Sequence, residues 1–192
     1  NLREGPILKI SDQDKRNEWN RNSELTNNST PFLNTTQNNA DILTFNLDAI
    51  SKKEEKISQF QLAKNLFNEF LKNQIKASEI FDLNMTAKYF AITDLMQSTN
   101  ANTWYDMRFY YDPISARLVP IGYDAQIPYI IINRRLSIDQ NVFNIFDDPI
   151  FLKEYLKELN RISELKYIDN FFNKIANEIN KEKSILYKSF PF

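Results

Sequence analysis

The stretch from Asn100 to Gln126, NANTWYDMRFYYDPISARLVPIGYDAQ, constrains this chain more than any other. Met107, Phe109 and Tyr111 alternate with Arg108, Tyr110 and Asp112, which is the period of a half-buried strand. Asp112-Pro113 starts a turn, because proline presets φ and an aspartate carboxylate bonds the backbone two residues on. Arg117 to Ile121 returns as a second strand. The segment therefore reads as a β-hairpin at 107–111 and 117–121, with Phe109, Leu118 and Ile121 buried. Gly122 follows, one of only two glycines in the chain, two residues before Asp124. A glycine there lets the backbone bend and re-aim the carboxylate. Spacing alone also fits an ordinary surface hairpin that ends in a solvated aspartate.

Composition removes whole classes of chemistry. Cysteine and histidine are both absent, which excludes disulfides, thiol nucleophiles, Ser-His-Asp triads and the usual zinc sites. Any catalysis must rest on carboxylates, Lys, Arg, Tyr or a metal held by oxygens. A formal net charge of -1 gives no field to recruit nucleic acid or an anionic membrane. With 192 residues, 42% of them hydrophobic, the chain is long enough for one domain with a real core. No signal peptide or membrane-spanning run is visible, and strand-like sequence follows soon after Asn1. The expectation is a single domain over 1–192 that is a piece of a longer protein.

Around the hairpin the chain reads mostly as helix. Pro6 to Ile10 and Asp41 to Leu47 alternate as short strands. Between them, residues 11–40 are rich in Asn, Ser, Thr and Asp and read as a long polar loop. Trp19 is its exception, a residue that docks onto a core or stacks on a ligand. Ser51 with Glu54 fits a capping box ahead of the stripe Ile57, Phe60, Ala63, Leu66, Phe67, Phe70 and Leu71. Asp82 caps a second helix, with Met85, Tyr89, Phe90, Ile92, Leu95 and Met96 apolar. Asp94 near its end is a surface carboxylate or a contributor to the neighbouring loop. Ile127 to Ile132 is β-prone, and Arg134-Arg135 reads as solvated or phosphate-facing. Asp147-Asp148-Pro149 starts a third helix, with Pro at the first helical position. A break at Asn160 to Ser163 leads into a final amphipathic one.

RFYYDP followed by RLVPIGYD resembles the core of the CotH kinase family, the bacterial spore-coat protein H kinases and their relatives. REGPILKI resembles a strand ahead of the family's helical lobe. FDLNMTAKYFAITDLMQ resembles the helix that leads into its catalytic loop. The resemblance covers roughly residues 3 to 10 and 80 to 127. It implies the large, helical lobe of a protein kinase-like fold, here mainly α with a small β-hairpin, an α+β arrangement. It implies that Asp124 and Asp106 hold Mg²⁺ on the phosphates of ATP, the arrangement that phosphoryl transfer needs. The family's base position falls on Asn100, or on Asn102 with a small gap, and neither takes a proton from a hydroxyl. Leu118 falls at the nucleotide contact. The resemblance further implies a secreted or cell-surface bacterial protein and a protein substrate or partner, with no nucleic acid and no membrane insertion. Two readings stay open: a Mg-ATP phosphotransferase, and a non-catalytic kinase-like scaffold. A blander third is a helical domain whose hairpin only packs its helices.

Overall fold

In the computed structural model of the chain, residues 5–11, 41–104, 106–123, 125, 136–140 and 142–190 are described. The strands are β1 (Ile7–Ile10), β2 (Ile42–Thr44), β3 (Arg108–Asp112) and β4 (Arg117–Ile121). β3 and β4 form the expected hairpin, with Tyr111 opposite Leu118. Asp112 closes its turn as read from the sequence: Oδ1 accepts from the Ile114 N–H at 3.0 Å and Oδ2 from the Ser115 hydroxyl at 2.7 Å. Those bonds, the Ser115 hydroxyl first, hold its carboxyl below the usual range.

The hairpin does not stand alone, which corrects the expected small two-stranded element. β1 pairs with β3 and β2 with β1, all antiparallel, giving a four-stranded sheet in the order β2-β1-β3-β4. β3 is central, and so Phe109, Tyr110 and Tyr111 are all buried. Leu8, Ile10, Ile42, Phe109 and Leu118 belong to the core beneath the sheet. Phe109 and Leu118 are buried as expected, while Ile121 is only half-buried at the end of the edge strand β4.

The helices are α1 (Leu47–Ile50), α2 (Glu54–Leu71), α3 (Ala77–Ile80), α4 (Leu83–Leu95), α5 (Ser137–Gln140), α6 (Pro149–Ile162) and α7 (Tyr167–Ser189). α2 buries Phe60, Ala63, Phe67, Phe70 and Leu71, the expected stripe. Its expected capping box does not form. Lys53 is the extended residue before α2, and the Ser51 hydroxyl donates to the Asp48 carbonyl at 3.0 Å, because α1 takes Ser51 as its own end. Asp82 does cap α4, accepting from the Met85 N–H at 3.0 Å. Asp148 caps α6 through the Ile150 N–H at 2.9 Å, with Pro149 at the first position. A second Asp148 oxygen accepts from the Ser78 N–H at 2.7 Å and ties α3 to α6. Burial alone would push that carboxyl up, but the bonds from Ser78 and Ile150 outweigh it and hold it low.

α4 lies against α6. It buries Thr86, Ala87, Phe90, Ala91, Thr93 and Asp94 and leaves Met85, Ile92, Leu95 and Met96 exposed. Ala87 and Ala91 are fully buried, and side chains that small allow close packing on the inward face. Phe90 meets Phe146 and Phe151 at centroid distances of 5.4 and 6.0 Å, both edge-on.

The two glycines sit in different surroundings. A Cβ on Gly122 would meet nothing within 4 Å, and neither glycine has a positive φ. Gly122 therefore uses no backbone conformation reserved for glycine. At Gly5, by contrast, a Cβ would stand 1.9 Å from the Tyr111 carbonyl oxygen, where the chain runs in to join β3. Gly5→Ala must push backbone apart and is expected to cost about 2 kcal/mol or more in chemical denaturation. Wild-type stability in that variant would show that the approach is not enforced. Left-handed backbone falls instead on Asn46, Asn73 and Asn144, with Gln97 and Ala116. Asparagine tolerates that region better than other residues with side chains, so part of the chain's asparagine serves where glycine ordinarily would.

Candidate functional site

The loop that joins α4 to β3 holds the residues singled out for chemistry. Gln97 at φ 53 turns the chain out of α4, and one 3-10 turn, Thr99–Asn102, follows. The backbone of Asn100 lies in that turn. The loop is fastened from below. Tyr89 donates its hydroxyl to the Ala101 carbonyl at 2.5 Å. Burial, then the nearby Asp106 carboxylate, push the Tyr89 phenol well above its ordinary range, so it stays a neutral donor.

Beneath the turn lies a buried polar cluster. Asp94, 5% exposed, accepts at Oδ1 from both the Ser137 N–H at 2.8 Å and the Ser137 hydroxyl at 2.6 Å. Its Oδ2 accepts from the Tyr155 hydroxyl at 2.6 Å. Asn102, 2% exposed, donates from Nδ2 to Thr93 Oγ1 at 2.8 Å and to Ser137 Oγ at 2.7 Å. The Gln97 amide donates to the Asp94 carbonyl at 2.7 Å. One cluster thus joins α4, the loop, α5 and α6. The surface reading of Asp94 is corrected: its carboxylate is a hub within the fold. The signal that could have found it is an acid at the inward register of α4, in line with Ala87 and Ala91.

The expected site residues divide accordingly. Asn102 is enclosed, with its amide spent on Thr93 and Ser137. Leu118 is fully buried in the core and forms a parallel bridge with Phe81, which places it under the sheet. Asp106 stands half-buried where the loop runs into β3, and its Oδ2 accepts from the Thr103 hydroxyl at 2.8 Å. Asp124, the second expected metal ligand, lies outside the described residues, as do Trp19, residues 127–132 and Arg134-Arg135. Of the expected pair, Asp106 alone lies among the described residues. Among the described residues no group of three or more carboxylates comes together as a metal centre.

Arg108, beside Asp106, reaches across the outer sheet face. Its guanidinium lies 4.6 Å from the Tyr123 ring centre and 5.7 Å from that of Phe45, and the Lys9 ammonium lies 5.2 Å from Phe45. Lys9 and Arg108 are direct cross-strand neighbours. The aromatic rings between them offset the repulsion such a pair would carry. Sequence reasoning missed this cluster because Phe45, in the turn after β2, and Lys9 on β1 lie far apart in the chain.

Compared with known proteins, the chain matches no family model, no curated protein and no solved structure.

Proposed function

We propose that this chain is a kinase-like large lobe of the CotH type that serves as a non-catalytic scaffold, an interaction module of a longer secreted or cell-surface protein. The observation that carries this reading is the fate of Asn102. Asn102, the second of the two residues offered for the base position, is 2% exposed, and its amide holds Thr93 and Ser137 rather than facing solvent. An asparagine turned inward at that position is suited to holding the loop's shape. It is poorly suited to orienting a hydroxyl for transfer, which needs groups within hydrogen-bond reach of the acceptor.

The competing reading, Mg-ATP phosphotransfer to a protein, draws on one observation. Asp106 stays accessible at the head of β3, beside the loop, where the resemblance puts a metal ligand. The experiment that separates the two is a thermal shift of the chain with Mg²⁺ and ATP, run beside Asp106→Ala and Asp124→Ala, together with phosphate release. The expected result is no shift beyond that of the two variants and no turnover. A nucleotide-dependent rise in Tm or ATP turnover that Asp124→Ala abolishes would restore the enzyme.

A further inference from the structure

α7 is a helix of 23 residues with none buried. Yet it carries large apolar groups: Phe172 is 53% exposed and Leu186 51%. Its base is fixed. Arg161 donates to Glu158 at 2.8 Å and lays its guanidinium 5.1 Å from the Tyr167 ring centre, so the end of α6 aims the start of α7. From there about 35 Å of helix runs on. Isolated helices are marginal in water, so a solvated helix of this length calls for a partner along its stripe.

The stripe has heptad spacing. Ile168, Phe172, Ile175, Ile179, Glu182 and Leu186 alternate steps of four and three, over somewhat less than three heptads. We propose that α7 is a self-association element, and that two copies of this chain pair antiparallel along it. Charge selects that occupant and that direction. Set Ile175 opposite Ile179 of the second copy, and Ile168 falls opposite Leu186. On one flank Asp169 of each copy then meets Lys183 of the other, two opposite-charge pairs related by symmetry. On the other flank Phe171 meets Ile185. Among the described residues neither Asp169 nor Lys183 has an ion pair within its own chain. In the parallel arrangement Glu182 would face its own copy inside the seam, a buried like-charge contact. In the antiparallel one Glu182 lies against Phe172, and Glu178 meets its copy only at the rim, where water screens it. The seam is short, so association is expected to be weak and concentration-dependent.

Sedimentation velocity of the whole chain, across a series from low micromolar to near-millimolar, tests this. The expected result is a reversible monomer–dimer equilibrium. Asp169→Lys alone and Lys183→Asp alone should each weaken it about ten-fold, and the double swap should restore it. Ile179→Asp should abolish it while leaving the thermal melt of the body unchanged, since no residue of α7 is buried in the body's core. A chain that is monomeric at every concentration overturns the proposal. So do single and double swaps that behave alike. A monomer that instead adsorbs to phosphatidylserine-containing vesicles would give the stripe to a membrane surface and overturn it as well.

Discussion

Asp94→Ala is expected to destabilise the fold by about 3 kcal/mol or more. The carboxylate accepts three hydrogen bonds, two from Ser137 and one from Tyr155, in a place that is 5% exposed. Removing it strands three buried donors, and each unsatisfied buried group costs about 1–3 kcal/mol. Asp94→Asn should be much milder, at about 1 kcal/mol. The amide carbonyl still accepts from Ser137, and the Tyr155 hydroxyl can rotate to accept from the new NH₂ group. Urea denaturation of the two variants beside wild type makes the comparison. Equal, small losses would show that water replaces the carboxylate, and that the cluster does not hold the α4–β3 loop. The effect should also be local in its order of appearance. Amide exchange at Ala101 and Asn102 is expected to speed up before exchange in the sheet, because the loop hangs on this cluster while the sheet has its own core.

How much of this was legible in the sequence differs by element. The hairpin was, because period-two alternation and Asp112-Pro113 are local signals, and the turn forms through the very bonds those residue types offer. Asp82 and Asp148 were legible as caps for the same reason. The full sheet was not. β1 and β2 read as short strands, but nothing local says that Leu8 lies between Phe109 and Thr44, residues far off in the chain. The inward face of α4 was legible only in part: of its apolar residues Phe90 is buried, while Met85, Ile92 and Leu95 are exposed. Met85 and Ile92 are more apolar than Ala87 and Ala91, yet it is the small pair that is buried. The candidate site suffered most. Asn102 and Asp94 are polar residues in and beside a polar loop, and polar residues there ordinarily face water. Their burial depends on Ser137 and Tyr155, 35 and 61 residues further on, which no spacing rule links to them.

Phe109→Ala should be the costliest single change, at about 3–5 kcal/mol. Phe109 is fully buried on the central strand, so its loss opens a cavity that two neighbouring strands prevent from collapsing. Its ring lies 5.3 Å from Phe67 and 5.4 Å from Phe81, and Phe81 meets Phe70 edge-on at 5.1 Å. The change therefore removes transfer free energy and, with it, two aromatic contacts that join the sheet to α2 and to the start of α4. A loss of about 4 kcal/mol would lower Tm by roughly 8–16 °C in a domain of this size, and it would be a large share of total stability. Phe109→Leu should recover most of it, because leucine refills the volume without the ring pairs. The decisive comparison is with Leu186→Asp on α7, which is expected to leave Tm unchanged at low protein concentration. If Phe109→Ala were as mild as Leu186→Asp, the sheet would not be seated on the Phe67–Phe81–Phe109 cluster, and the hairpin would be free to move against the helices that carry the candidate site.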